Sequence, residues 1–264
     1  MTGEDPRLIS SRDNQRFRTL RQLASSTRER RKAGLALLDG VHLISAYRAS
    51  GGVPEQLILS ESGRSKPEVM QLAAGMSGQR LLILVDALFN DIAQVATPTG
   101  IIALIRTPKP GPLPNMIDRC VMLENIQDAG NLGSILRSIA AAGVSTVLLS
   151  QGCAFPWSSK VLRAGMGAHF SLEIFDNTNL AAMVPRLSGR LICASGRAVK
   201  SIYQADLRGP LAWVFGNEGA GVSAGLSAAA TEQLCIPMPG KTESLNVAAA
   251  AAICLFEQLR QNSV

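Results

Sequence analysis

The stretch Cys235-Ile-Pro-Met-Pro-Gly-Lys-Thr-Glu-Ser-Leu-Asn-Val247 runs straight into an alanine-rich segment, residues 248–260. A short apolar run, two prolines and a glycine, then a polar cluster opening a helix of small residues, describe a strand feeding a shaped loop in tightly packed surroundings. Pro237 and Pro239 fix φ and remove two backbone donors, so the remaining main-chain groups point in few directions. That suits ligand binding by backbone. Ser244 stands just before the helical pattern and reads as its N-cap, which leaves Leu245 and Asn246 in a first turn whose free N–H groups can meet a polar group. A plain strand-to-helix connection satisfies the same residues, so the loop needs partners elsewhere before it means a site.

Working outward, the preceding hundred residues alternate strands at 120–124, 145–150, 172–175, 190–194, 211–215 and 233–237 with helices at 132–142, 158–166, 180–187 and 223–230. This pattern predicts a mostly parallel sheet covered on both faces, in which ligands lie beyond the carboxyl ends of strands. Two polar clusters follow strands in that way. In Glu124-Asn-Ile-Gln-Asp-Ala-Gly-Asn-Leu-Gly-Ser-Ile-Leu-Arg137, Gly130 and Gly133 permit close backbone approach and Asn131 stands where a helix is capped. Arg137, less than two turns in, reaches the same end if its side chain extends back along the axis. The other cluster is Leu211-Ala-Trp-Val-Phe-Gly-Asn-Glu-Gly-Ala-Gly-Val222. Within it Gly219-x-Gly221-x-x-Ala224 spells a dinucleotide fingerprint, but it falls late in the domain and no acidic residue ends the next strand. Glu218 inside the turn would also repel a pyrophosphate.

The first half reads as a smaller α/β layer structure. Helices are expected at 14–24, 41–49 and 67–74, and strands at 34–38, 56–60, 80–85 and 100–105. Arg106-Thr-Pro-Lys-Pro-Gly-Pro-Leu-Pro-Asn115 has four prolines in ten residues and is the expected boundary. The organisation is then a domain over 1–105, a linker over 106–115 and a second domain over 116–264.

Charge is uneven. Through Lys32 nine basic residues face four acidic ones, so +5 of the chain's net +6 sits in its first eighth. A localised basic segment on a folded chain points to a polyanion, nucleic acid first, with Arg16, Arg18, Arg28, Arg30, Arg31 and Lys32 as candidate contacts. A composition of 47% hydrophobic and 17% charged residues over 264 positions excludes a disordered chain. No apolar run reaches the roughly 18 residues needed to cross a bilayer. The opening residues do not begin a signal peptide either, so the expectation is a cytoplasmic protein with no membrane partner. The five cysteines are scattered and never in C-x-x-C spacing, so neither disulfides nor a zinc site is expected.

Four elements of this pattern, Asn131-x-Gly133-x-x-x-Arg137, Phe215-Gly-Asn-Glu-Gly-x-Gly221, Ile236-Pro-Met238 and Ser244-Leu-Asn-Val247, stand in register. In order and spacing they resemble the SpoU/TrmH family of S-adenosylmethionine-dependent RNA 2′-O-ribose methyltransferases, from about residue 118 to the end. The first half looks like the L30e-like RNA substrate-binding domain that often precedes the catalytic one, with Asp39 where a glutamate is more usual. Ala248 likewise stands where the family often has a serine. The resemblance implies a deep C-terminal trefoil knot, a homodimer formed through the knotted domain, and metal-independent methyl transfer. It implies Gly216, Ile236 and Leu245 around the adenosine of S-adenosylmethionine, with Phe215 and Met238 nearby. Catalysis would fall to Arg137, Asn131, Glu218, Ser244 and Asn246. Relatives assign the matching arginine to activating the hydroxyl; because guanidinium stays protonated, binding the adjacent phosphate and stabilising alkoxide charge is the physically easier role. By analogy with ribosomal-protein domains the target is ribosomal rather than transfer RNA. A transfer-RNA ribose methyltransferase, a base methyltransferase and a non-catalytic RNA-binding assembly factor are the alternatives.

Overall fold

The computed structural model describes residues 8–76 and 80–263. Glu4, Asp5 and Arg7 of the charge run, and the opening residues read for a signal peptide, lie outside them. Contacts divide the chain into two units, one comprising the chain to Pro108 with Trp157–Arg163, the other Lys109–Pro156 with Ala164 onward.

The first unit runs β1 (Leu8–Ile9), α1 (Gln15–Ser25), α2 (Thr27–Ala33), β2 (Leu35–Asp39), α3 (Val41–Ala49), β3 (Gln56–Ser60), α4 (Pro67–Ala73), β4 (Leu81–Leu84), α5 (Asp86–Ile92) and β5 (Ile101–Arg106). Its sheet has the order β1-β4-β3-β5-β2, parallel from β1 to β3 and antiparallel at both pairings of β5. Alternate residues of each strand face opposite layers. Leu37, Ile58, Leu82 and Ile102 thus share a core with Phe17, Leu20 and Ala24 of α1 and Phe89 of α5. The sequence reading missed α5, which follows Val85 with neither a capping side chain nor the opening proline that marks the equally short α4. Arg106 is the last residue of β5, paired with Leu35, and not the first of a spacer.

The second unit runs β6 (Arg119–Leu123), α6 (Ala129–Ala141), β7 (Thr146–Leu149), α7 (Ser159–Gly165, mostly counted with the first unit), β8 (Glu173–Phe175) and α8 (Leu180–Met183). It continues with β9 (Arg190–Ala194), β10 (Leu211–Phe215), α9 (Ala224–Ala229), β11 (Glu232–Leu234) and α10 (Val247–Asn262). All neighbours in its six-stranded sheet, β11-β9-β10-β6-β7-β8, are parallel. The chain leaves β6 towards β7 on one side and returns as β10 on the other, so the order reverses between β6 and β10. In open α/β sheets ligands bind beyond the carboxyl ends at such a point. One face packs Met122, Cys193 and Val214 under Leu180 of α8 and Leu226 of α9. On the other, Trp213 donates its indole N–H to Gln258 of α10 at 2.8 Å, which satisfies the one polar atom of a large buried side chain.

The segment predicted as one helix at 180–187 breaks into α8 and a 3-10 turn, because Pro185 lacks the N–H to continue it. Arg186 then fastens the proline-rich segment, donating to the carbonyls of Leu113 at 3.1 Å and Pro114 at 2.6 Å. His169 is buried with Nε2 2.9 Å from the Pro156 carbonyl, and burial pulls its pKa down to about 4.

Candidate active site

The carboxyl ends of β6 and β10 are joined beyond their ladder. Glu124 N–H bonds the Phe215 carbonyl at 2.9 Å, and the Asn217 side chain donates to the Asn125 carbonyl at 3.0 Å. Asn125 itself turns the chain with φ +55, a left-handed conformation that asparagine tolerates better than most residues. The Glu124 carboxylate accepts from Ser223 N–H at 2.7 Å, at the start of α9.

Helix α6 begins three residues earlier than periodicity indicated, and its N-cap is Asp128, whose carboxylate accepts from Asn131 N–H at 2.7 Å. Asn131 is therefore not the cap. Its side chain, released from that duty, donates Nδ2–H to Glu218 Oε1 at 2.7 Å and accepts at Oδ1 from Asn246 Nδ2 at 2.9 Å. Asn246 then presents its own Oδ1 to the N–H groups of Ala248 and Ala249, at 2.9 and 3.4 Å. An ionised carboxylate only accepts, so Glu218 fixes which way the Asn131 amide faces, and Asn131 fixes Asn246. The relay links the loop after β10, the first turn of α6 and the first turn of α10. It also corrects the capping of α10: Asn246 is the N-cap, and Ser244 lies two residues before that cap. The better cap is the side chain whose oxygen reaches two orphan donors at once.

Beside the relay a cleft of about 150 Å3 opens at the ends of β9, β10 and β11. Five residues predicted for cofactor binding, Phe215, Gly216, Ile236, Met238 and Leu245, line it. Glu218 and Ser244 line it as well. A Cβ on Gly216 would lie 2.2 Å from the Gly221 carbonyl carbon, so only glycine lets the two backbone segments meet there. The N–H groups of Ile236, Met238 and Leu245 make no hydrogen bond among the described residues. An apolar slot with unused main-chain donors fits an adenosine. The glycine turn of the dinucleotide spelling has its donors engaged: Gly219 and Ala220 N–H both bond Asn217 Oδ1, and Gly221 N–H bonds the Asn217 carbonyl.

Arg137 lies exposed on α6, about 9 Å along the axis from Asn131 by helix geometry. Among the described residues no hydrogen bond or ion pair ties it to the relay or to the cleft.

Sequence reasoning overlooked the contribution of β9, whose end supplies Ala194, Ser195 and Gly196 to the cleft. The signal was available, since a serine and a glycine directly after a parallel strand obey the same carboxyl-end rule. Asp128, Glu124 and Asn217 stood inside the quoted motifs without a role.

In the first unit, Arg16, Arg28 and Lys32 are exposed, with no side-chain partner among the described residues, while Arg18 is exposed and paired with Asp13 at 2.7 Å. Arg31 is also exposed. Arg30 is a correction. It is 3% exposed, its guanidinium donates to the carbonyls of Leu23 and Ala24 and to Thr27 Oγ1, and burial lowers its pKa. It closes the C-terminus of α1, where orphan carbonyls need donors, and does not face a ligand.

Known proteins resemble this chain in sequence and fold. The model of the SpoU rRNA Methylase family matches residues 118–256, and that of an MRM3-like substrate binding domain matches residues 14–103. The chain is 29% identical to the 23S rRNA (guanosine(2553)-2′-O)-methyltransferase RlmP of Bacillus subtilis, over 94% of this chain and 97% of that one. With the 23S rRNA (guanosine-2′-O-)-methyltransferase RlmB of Escherichia coli K12 it shares 31% identity over 86% of this chain and 99% of that one. An AdoMet-bound rRNA methyltransferase from Sinorhizobium meliloti superposes with a TM-score of 0.84 at 26% identity, covering 96% of this chain and 97% of that one. With a family model spanning more than half its length and relatives matched nearly end to end, this chain belongs to the SpoU rRNA methylase family.

Proposed function

We propose that this protein methylates a ribose 2′-hydroxyl in structured RNA, ribosomal RNA before transfer RNA, using S-adenosylmethionine. The observation that carries the reading is the meeting, at the carboxyl ends of one parallel sheet, of an apolar cleft with free backbone donors and a polar relay of fixed orientation. Phe215, Gly216, Ile236, Met238 and Leu245 hold the cofactor, which when bound supplies an electrophilic methyl group on a sulfonium. Displacement at that methyl needs alignment above all, so the chain's task is to position the attacking oxygen. Asn131 and Asn246, locked by Glu218, and Ser244 at the cleft hold the ribose. Arg137 grips the neighbouring phosphate through two N–H groups and stabilises negative charge growing on the 2′-oxygen, while the phosphate or a water takes the proton.

The same reading assigns RNA docking to Arg16, Arg28, Arg31 and Lys32 of an L30e-like substrate domain spanning 1–105, with Arg18 sharing its charge with Asp13. It holds the segment after β5, 107–115, to be the linker and 116–264 the catalytic domain, threaded as a C-terminal trefoil knot. A homodimer through this domain would cover Phe256 and Leu259, apolar residues of α10 that are 46% and 36% exposed. A cytoplasmic location belongs to the same proposal, and no described helix is long and apolar enough to cross a membrane.

The decisive experiment follows tritium from methyl-labelled S-adenosylmethionine into unmodified ribosomal RNA. Incorporation that disappears when the target carries a 2′-deoxyribose supports the reading. Incorporation that persists would make the enzyme a base methyltransferase, and none into any RNA would leave an RNA-binding factor.

A further inference from the structure

Two loops wall the cleft and each carries an unused cation. The loop after β9 contributes Ser195 and Gly196 and continues into Arg197; the loop after β11 contributes Met238, Ser244 and Leu245 and has Lys241 between them. Both cations are exposed, and neither side chain has a hydrogen bond or ion pair among the described residues.

The first of these loops is held at both flanks. Ser195 N–H bonds the Leu234 carbonyl at 2.9 Å, Cys235 N–H bonds the Lys200 carbonyl at 2.9 Å, and Ile202 N–H bonds the Cys235 carbonyl at 2.9 Å. Between them a tight turn closes through Ala198 N–H to the Ser195 carbonyl at 3.2 Å. The tip therefore projects: Val199 is 99% exposed, an unusual place to hold an apolar side chain. Lys200 next to it is neutralised by Glu232 at 2.5 Å, whereas Arg197 is not. Of the nearby carboxylates, Glu218 is engaged by Asn131, and Glu243 stands two residues from Lys241 and offsets part of its charge.

We infer that Arg197 and Lys241 form a phosphate-binding rim that holds the backbone of the RNA strand presented to the cleft, with Val199 as an apolar rest for a flanking ribose or base. The inference builds on the methyl-transfer reading of the same cleft. A ribose presented at the mouth of the cofactor cleft must leave its helix, so the strand beside it is locally unpaired and exposes its phosphates and ring faces. A guanidinium takes a phosphate through two N–H groups and an ammonium through charge alone. Arg197, with no acidic neighbour in its loop, carries the larger share.

The test uses the full chain and an unmodified large-subunit ribosomal RNA transcript, comparing wild type with Arg197→Gln, Lys241→Gln and the double variant. The affinity for RNA is measured against salt, and cofactor affinity by calorimetry. Each lost phosphate contact should flatten the log K against log salt slope by about 0.7. The KM for RNA should rise about tenfold in the double variant, with kcat and cofactor affinity within about twofold of wild type. Val199→Ser should weaken RNA binding a few-fold with the salt slope unchanged, because an apolar contact releases no counterions. Unchanged slope and KM in the double variant would overturn the rim, as would a loss of cofactor affinity, which would make the two residues part of the cleft's own structure. Failure of the underlying reading looks different: the wild-type chain itself would transfer no methyl group to the transcript.

Discussion

The basic helices α1 and α2 and the polar relay at the cleft are both rich in charge and amide groups, and they use them in opposite ways. On α1 and α2 the cations point outward, mostly without internal partners, so their effect is a field that tolerates small displacements. At the relay, Glu218, Asn131 and Asn246 are bonded to one another in a fixed sequence of donors and acceptors that ends on the backbone of α10. The first arrangement suits attraction of a polyanion, and the second suits holding one atom in place. Arg30 shows how little the residue type says by itself: it sits among five candidate RNA contacts and is the one turned inward.

The sharpest way to break this comparison is Arg137→Ala. If Arg137 acts on the transition state, methyl transfer should fall about a thousandfold, roughly 4 kcal/mol, with cofactor affinity unchanged by calorimetry. Loss of cofactor binding instead would put Arg137 in the structural class. Arg30→Ala should cost about 3 kcal/mol of stability in urea unfolding, because carbonyls closing α1 lose charged donors, while Arg28→Ala changes stability by less than about 0.5 kcal/mol and weakens RNA binding. Equal stabilities for these two variants would erase the inward–outward distinction.

Acid provides a third probe. His169 is ordinarily protonated below about 6.5 but, buried, takes its proton only near 4, so the unfolded chain binds more protons between those values. Its contribution is complete above pH 6.5 and is lost as pH falls towards 4, by about 3 kcal/mol at most. Unfolding followed by tryptophan fluorescence should show that loss, and His169→Gln should flatten it. The smallest effect is expected for Asn246→Ala, which removes the α10 cap and one relay link. About 1–2 kcal/mol of stability should disappear in thermal unfolding, with a several-fold drop in methyl transfer.

Much of the site was legible because it obeys local rules. Polar clusters directly after strands, glycines where backbones meet and two prolines in the loop after β11 marked out the segments, the family resemblance picked Gly216, Ile236, Met238 and Leu245 from them, and all four line one cleft. The caps were not legible in the same way. Ser244 and Asn131 have the chemistry of N-caps, yet Asn246 and Asp128 perform that work, because a cap is decided by which oxygen meets the orphan N–H groups once the loop has its path. The seven-residue α5 escaped notice, and Pro185 ended a helix that apolar periodicity alone extended.

By itself the sequence determined the alternation of strands and helices, the placing of polar clusters at strand ends and the basic opening of the chain. Those depend on periodicity, proline and glycine stereochemistry and net charge, which act over a few residues. Only the tertiary structure decided that β9 joins the cleft, that Arg30 faces inward, and that Asn131 meets residues 87 and 115 positions away. Such pairings follow from the order in which strands assemble, and no short-range rule carries that order.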